Sequence, residues 1–542
     1  MRRVATTLLL PIALTLVGLS PGVSSAVNTH FIFLGRLDAY ADYNDVWGYT
    51  DPNTGDEYAL LGTGTGTSIV NISDPFNPRE TGFIPGPQSI WRDVHTYQGR
   101  AYIVTEGVGS GLQIVSLADP EAPSLTFTKD AFTAHTLWID EGTGVIYCNG
   151  SSGGASGFRA YDLGANLDNP PLVTIYGSPY IHDLWVGGGV AYTADIYGGG
   201  EMRILNVSAL PSGTSITQTG IVHYPSGATH NCWPHQNGDY VLTTDERQGG
   251  TVRVFDVSVP SSPIQISSFP ALTLTSVHNV YVKGDTAYCA WYAAGIRAFD
   301  ISDPFNPVNV GRYDTSPQQG IFIGCWSVYP YLPSGAILCA DMEEGLFLVA
   351  HVDSIGAVTG VVTRAENGAP IEGAIVSVPG FYNKTVATDS AGRYTAELPG
   401  GAQSVIVSFP GYLPDTASVA IADGDTTAHD VALASPLTAV EGPAPASAPP
   451  PAVALSAAHP NPTRAGATLD LALPRAAAVR ASVFDASGRR VRSIASGTLP
   501  PGRHALAWDG ADDAGRALPD GTYLYRIDAD GQSRSSKITI VR

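Results

Sequence analysis

His230-Asn231-Cys232-Trp233 and His278-Asn279-Val280-Tyr281 are one short pattern written twice, 48 residues apart, and that spacing decides the fold. Two polar residues precede a small or aliphatic one and then an aromatic. The pattern returns as Asn44-Asp45-Val46-Trp47, His135-Thr136-Leu137-Trp138 and His182-Asp183-Leu184-Trp185. With Arg92 and Trp326 aligned, the first position forms a column: Asn44, Arg92, His135, His182, His230, His278 and Trp326. The differences between those residue numbers are 48, 43, 47, 48, 48 and 48. A fixed period of about 40 to 50 residues, with several short strands per copy, is the signature of a β-propeller.

Further strands follow in each copy. The second is an apolar run such as Ala101-Tyr102-Ile103-Val104 or Ala287-Tyr288-Cys289. The third often follows a glycine, as in Gly295-Ile296-Arg297-Ala298-Phe299-Asp300. Runs of this length, rich in β-branched and aromatic residues and bounded by Gly, Pro and Asp, read as strands. Turns such as Asp303-Pro304-Phe305-Asn306-Pro307 come next, where Asp bonds its own following backbone and Pro fixes φ. A fourth strand, Val310-Gly311-Arg312-Tyr313-Asp314 in the sixth copy, completes the sheet. The seventh copy lacks a fourth strand after Val349. Leu34-Gly35-Arg36-Leu37-Asp38 matches that strand and would close the ring, leaving no open edge. The expectation is an all-β chain, a seven-bladed propeller followed by two small β-sandwich domains.

The 542 residues suggest about three or four domains, and 60 Gly with 40 Pro suit strands and turns. Residues 454–542 hold 12 Lys+Arg against 8 Asp+Glu, so the remaining 17 against 41 leave a net charge of −24 on the rest of the chain. So acidic a body repels phosphate backbones, which argues against nucleic acid as a partner. Arg2 and Arg3, the mostly apolar stretch from Thr7 to Leu19, and Ser24-Ser25-Ala26 read as a secretory signal over 1–26. No later segment is apolar for long enough to span a membrane. The five cysteines are odd in number and three fall within apolar strand patterns, so buried free thiols are expected.

The third strand followed by Ser-Asp-Pro-x-x-Pro resembles the LVIVD repeat of bacterial and archaeal surface proteins of the choice-of-anchor B type, over residues 31–350. Asn71 and Ser116 stand where Asp is usual, and Val259-Pro260 replaces Asp-Pro. The resemblance implies a secreted propeller, residues 27–355 here, without an assigned chemistry. Val358-Thr359-Gly360-Val361-Val362, Pro370 to Val376, Thr388 to Tyr394 and Phe409-Pro410-Gly411-Tyr412, in that order, resemble the carboxypeptidase regulatory-like sandwich, a non-catalytic spacer, over 356–434. Residues 435–453 are a Pro/Ala-rich extended linker. From 454 to 542, His459-Pro460-Asn461-Pro462, Val483 to Arg489, Trp508-Asp509-Gly510 and Gly521 to Arg526 are similar to the FlgD-like immunoglobulin-type domain and to type IX secretion sorting domains. That resemblance implies export to the outside of a bacterial cell.

His135, His182, His230 and His278 hold equivalent places on four consecutive copies and are the candidate metal ligands. Carotenoid-cleaving oxygenases, with four histidines on a seven-bladed propeller, offer an analogy of fold only. Each His shares a strand face with an aliphatic or thiol residue two positions on (Leu137, Leu184, Cys232, Val280), and such a face packs on the neighbouring sheet. A structural role, with His and Asp satisfying groups within and between sheets, is therefore the stronger reading. Glu106, Asp195, Asp245, Glu246 and Asp341, near second-strand ends, are the candidates to line one mouth of the ring and bind a ligand or Ca²⁺, with ordinary solvated loop carboxylates the stronger reading. The function expected is a secreted or cell-surface scaffold binding a glycan, peptide or protein partner and exported through its C-terminal domain, with no cofactor. The alternative is a metal-dependent extracellular enzyme with an axial four-His site.

Overall fold

The computed structural model describes residues 29–197, 199–223, 227–435, 453–456, 458–464, 466–514 and 516–541. The expected signal segment and residues 436–452 of the linker lie outside the described residues. The chain is all-β, and among the described residues no helix is long and apolar enough to cross a membrane. Two compact units divide the chain near residue 355.

In the first unit the described residues form seven four-stranded antiparallel sheets. Six are consecutive along the chain, from Tyr43–Thr50 through Val308–Tyr313. The seventh joins Cys325–Tyr329, Ala336–Asp341 and Gly345–His351 to Phe31–Leu37 from the other end of the unit. The first strand of each sheet packs against the first strand of the next, and Cys325–Tyr329 packs against Tyr43–Thr50, so the inner strands close a ring. The closing strand pairs Phe31 with His351 and Leu37 with Leu346, shifting register between Phe33 and Gly35. A side chain at Gly35 would place its Cβ 2.1 Å from the Pro75 carbonyl oxygen, so the close approach to the neighbouring sheet requires glycine there.

Burial follows position in the sheet. Second and third strands are covered on both faces and are apolar nearly throughout, as in Arg100–Thr105 and Leu112–Ser116. Outer strands such as Ser124–Lys129 are exposed along their length. The turns between third and fourth strands repeat one geometry. Asp74, Asp119 and Asp303 each accept the backbone N–H two residues on at 3.1 Å. In the fifth sheet of the chain, where Val259 replaces Asp, the Ser262 N–H still reaches the Val259 carbonyl at 2.9 Å, so the turn survives on its backbone bond alone. All five cysteines are buried free thiols.

In the second unit, Ile355–Arg364 lies between Arg393–Pro399 and two short strands, Thr426–Ala428 and Val431–Leu433, which run parallel to it. Lys384–Ala387, Ile375–Val378, Gly401–Ser408 and Asp415–Ile421 make a second sheet. Further on, Ala454–Leu455, Ala467–Leu473 and Gly502–Trp508 form a three-stranded sheet beside the four strands Arg490–Leu499, Ala477–Phe484, Gly521–Ala529 and Gln532–Ile540. Leu469 and Trp508 from one sheet share a core with Val483, Tyr525 and Ile540 from the other.

Candidate functional site

Alternation along the inner strands sorts the repeated pattern into layers. The residue two after each column position packs on the preceding sheet: Leu137 joins the cluster of Tyr102 and Val104, and Leu184 that of Tyr147 and Phe158. The column residue stands near the start of its strand, where pairing is absent or irregular in most sheets. It therefore leaves the face of the residue two on. Contrary to the expectation that the imidazole face packs on the neighbouring sheet, it joins the positions one and three on in three axial tiers.

The first tier is the column itself. Imidazole centroids lie 4.0 Å apart for His135 and His182, 4.2 Å for His182 and His230, and 3.9 Å for His230 and His278. Each ring spends Nδ1 on a neighbour where it can. His135 Nδ1 meets Glu106 at 2.7 Å, His182 Nδ1 the carbonyl of His230 at 3.0 Å, and His278 Nδ1 the carbonyl of Trp326 at 2.6 Å. His230 departs from the series. The equivalent acceptor, the His278 carbonyl, also receives Thr244 Oγ1 at 2.6 Å, and His230 Nδ1 faces it without well-formed hydrogen-bond geometry. Burial pushes His278 down to about 3, and burial with the neighbouring imidazoles drives His182 and His230 well below the usual histidine range. These rings are neutral at physiological pH.

The second tier, one residue on, ties the sheets together. Asp93 accepts the Leu137 N–H at 2.7 Å, Asp45 that of Val94 at 3.3 Å, and Asn231 that of Val280 at 3.1 Å, each from the next sheet. Asn231 Nδ2 also donates to Asp183 at 2.8 Å. Asp93 and Asp45 are joined side chain to side chain, and burial raises both, Asp93 further because of the charge on Asp45. Burial lifts Asp183 to about 6.

Asn231 shows how an amide fills this role without a buried charge, and it supports a prediction. Asp93→Asn would keep the acceptor for Leu137 and supply an N–H to Asp45. A carboxyl raised on folding favours the fold at acid pH and loses that contribution as pH climbs through its folded pKa. The variant is expected to be more stable by on the order of 1–2 kcal/mol at pH 8. The gain should shrink towards pH 4, as read by thermal unfolding across that range. A variant less stable than the parent at pH 8 would contradict the argument.

The third tier, three residues after the column, is aromatic. Trp47 stacks on His95 at 3.6 Å, and Trp138 touches Trp47, Trp185 and Trp233 at 6.4, 6.1 and 5.1 Å between centroids. Those partners come from sheets on several sides, so Trp138 crosses the axis. The space left is a cavity of about 40 Å³ lined by all three tiers. A few waters or an ion fit there; a sugar or peptide does not.

The five acidic candidates separate. Asp195 is buried and bonded to Arg203 at 2.7 Å, Asp245 is buried and bonded to Arg253 at 2.8 Å, and Asp341 is buried and accepts Thr315 Oγ1 at 2.7 Å. Glu106 and Glu246 turn towards the imidazoles instead. The two oxygens of Glu246 lie 3.7 Å from His230 Nε2 and 3.9 Å from His278 Nε2, while the Tyr292 hydroxyl donates to it at 2.5 Å. His135 and His182 stand outside this three-residue group.

Aromatic contacts also run outward from the imidazoles. Trp91 reaches His135 at 6.3 Å, Tyr180 bridges His182 and Tyr197 at 6.5 and 5.0 Å, and Tyr292 bridges His278 and Phe322 at 5.2 and 5.6 Å. Trp91 and Phe322 precede inner strands, and Tyr197 joins a second strand to a third. In an antiparallel sheet of this order those loops share one end. Tyr197 is 69% exposed there, and Trp91 and Phe322 are exposed as well.

Family models match three stretches of the chain. Residues 276–315 match the LVIVD repeat, 357–434 the carboxypeptidase regulatory-like domain, and 461–533 the FlgD Ig-like domain. No curated protein matches the chain. Among solved structures it is similar to a "putative 6-phosphogluconolactonase" of Bacteroides fragilis, with 13% identity, 66% of this chain and 98% of that one covered, and a TM-score of 0.45. It is also similar to U3-55K, with 10% identity, 59% and 98% covered, and a TM-score of 0.44.

Proposed function

We propose that the chain is a secreted or outer-surface, seven-bladed propeller scaffold that binds a glycan on the end of the ring bearing the histidines. In this reading residues 27–355 are the binding module of a choice-of-anchor B type protein, 356–434 a spacer, 435–453 a linker, and 454–542 a domain for type IX export and attachment. The observation that carries it is three exposed aromatic loop residues, Trp91, Tyr197 and Phe322, on one end of the ring, whose axis is already filled. Exposed flat rings on loops stack on sugar faces, and three on the same end of the ring offer separate stacking points to an extended glycan. An axial cavity of about 40 Å³ speaks for recognition on this rim over catalysis on an organic substrate at the axis.

The test is a glycan array followed by calorimetry on the best ligand, with the triple variant Trp91→Ala, Tyr197→Ala, Phe322→Ala. Loss of affinity by at least roughly tenfold is expected with the melting temperature nearly unchanged, because exposed side chains contribute little to folding. A chain that binds no glycan, or whose triple variant binds as well as the parent, would overturn the reading and turn attention to peptide and protein partners.

A further inference from the structure

We infer that His230 Nε2, His278 Nε2 and Glu246 form a binding site for one divalent transition-metal ion of the Zn²⁺ class, separate from the rim. The argument begins with proton positions. His278 donates Nδ1–H to the Trp326 carbonyl at 2.6 Å, and a carbonyl can only accept. The Nε2 of this neutral ring therefore presents a bare lone pair, and it points at the carboxylate of Glu246 at 3.9 Å. His230 Nε2 faces the other oxygen of the same carboxylate at 3.7 Å. Three acceptor atoms, all within 4.8 Å of one another, meet across gaps too long for hydrogen bonds. A cation between them turns that repulsion into attraction.

The surroundings suit a metal. Zn²⁺ binds imidazole nitrogen at about 2.0–2.1 Å and carboxylate oxygen at about 2.0–2.2 Å, so tetrahedral edges are about 3.4 Å; the 3.7 and 3.9 Å separations close with small side-chain shifts, and the widest pair, within 4.8 Å, moves furthest. Their orientation is already held from behind. The Trp326 carbonyl fixes the tautomer of His278, and the Tyr292 hydroxyl fixes Glu246 at 2.5 Å. Glu246 is further anchored by its backbone N–H on the Ala228 carbonyl at 2.9 Å. His230 Nδ1 faces the His278 carbonyl as the neighbouring rings face theirs, which leaves Nε2 as the bare nitrogen, and the loose geometry of that contact lets the ring shift towards a metal. The cavity lined by His230 and His278 brings a few waters to the imidazole side of the group. Two imidazoles and one carboxylate favour Zn²⁺, Cu²⁺ or Ni²⁺ over Ca²⁺ or Mg²⁺.

The experiment uses the full mature chain with Zn²⁺ alone. After removal of metal by chelator and dialysis, titration calorimetry should find one tight site per chain, and Zn²⁺ should raise the melting temperature of the parent protein. Glu246→Gln, which keeps the bond from Tyr292, should weaken binding by roughly 100-fold or more. Glu106→Gln, beside His135 and outside the group, should leave the affinity unchanged. If the parent shows neither binding nor a thermal shift, the inference is wrong. Equal losses in the two variants would replace this ligand set with the whole imidazole row, and an unchanged affinity in Glu246→Gln would overturn it too. Should Glu246→Gln fail to fold, the thermal shift of the parent and the titration of Glu106→Gln still decide the matter.

Discussion

Removing the residues up to and including Leu37 is expected to cost the ring most of its stability. Phe31, Ile32 and Leu34 are 3%, 0% and 3% exposed, and burying such side chains contributes about 1.5–3 kcal/mol each. Their loss, on the order of 4–9 kcal/mol, rivals the whole net stability of a typical domain, about 5–15 kcal/mol. The truncation also uncovers the edge of Gly345–His351, a row of unpaired backbone groups ready to pair with another chain. Scanning calorimetry on the full and truncated proteins should show the propeller transition lost or far lower, with aggregation on heating. A truncated chain melting within a few degrees of the full one would mean that the ring does not depend on this closure. Ile32→Asp, a single buried charge in the same strand, should reproduce the direction of the effect.

That closure was legible in the sequence because it rests on repetition. Leu34-Gly35-Arg36-Leu37 is a copy of a fourth strand placed before the first inner strand, and a period needs no knowledge of side-chain contacts. The polar and aromatic tiers follow from alternation once the column is aligned, but the imidazole tier does not, because alternation puts each His on the face of the residue two on. The acidic residues show where periodicity stops. Asp195 and Asp245 sit at matching strand ends, but Arg203 and Arg253, each eight residues on in the adjacent third strand, take them into the sheet. That Asp-to-Arg spacing, present twice, was the available signal. Glu246 has no such arginine and turns to the imidazoles. The rim aromatics Trp91, Tyr197 and Phe322 carry no period at all. They lie in loops of unequal length, and only the strand order places them on the same end of the sheets.

The second large effect concerns His95, the one imidazole in a tier otherwise made of Trp and Tyr. It stacks on Trp47 at 3.6 Å and meets Trp138 edge-on at 5.2 Å, and burial pushes it down to about 3. The fold thus holds it neutral, whereas the unfolded chain takes up a proton below about 6.5. A histidine depressed on folding contributes stability that is fully present above its unfolded pKa and is lost as pH falls towards its folded one. The window is therefore pH 6.5 down to 3. His95→Phe keeps the ring against Trp47 and removes the proton site. Relative to the parent, the variant should gain about 3 kcal/mol between pH 7 and pH 4, since each pH step in that window is worth about 1.4 kcal/mol. The raised carboxyls Asp45, Asp93 and Asp183 run the other way, favouring the fold as pH falls, so the parent's own profile is a balance of opposing slopes. The difference between parent and variant isolates His95 because the carboxyls are common to both. Denaturant unfolding at pH 7, 5.5 and 4 measures it. A difference that stays constant with pH would show that His95 titrates as it does in water, and that the aromatic tier admits solvent where Trp138 crosses the axis.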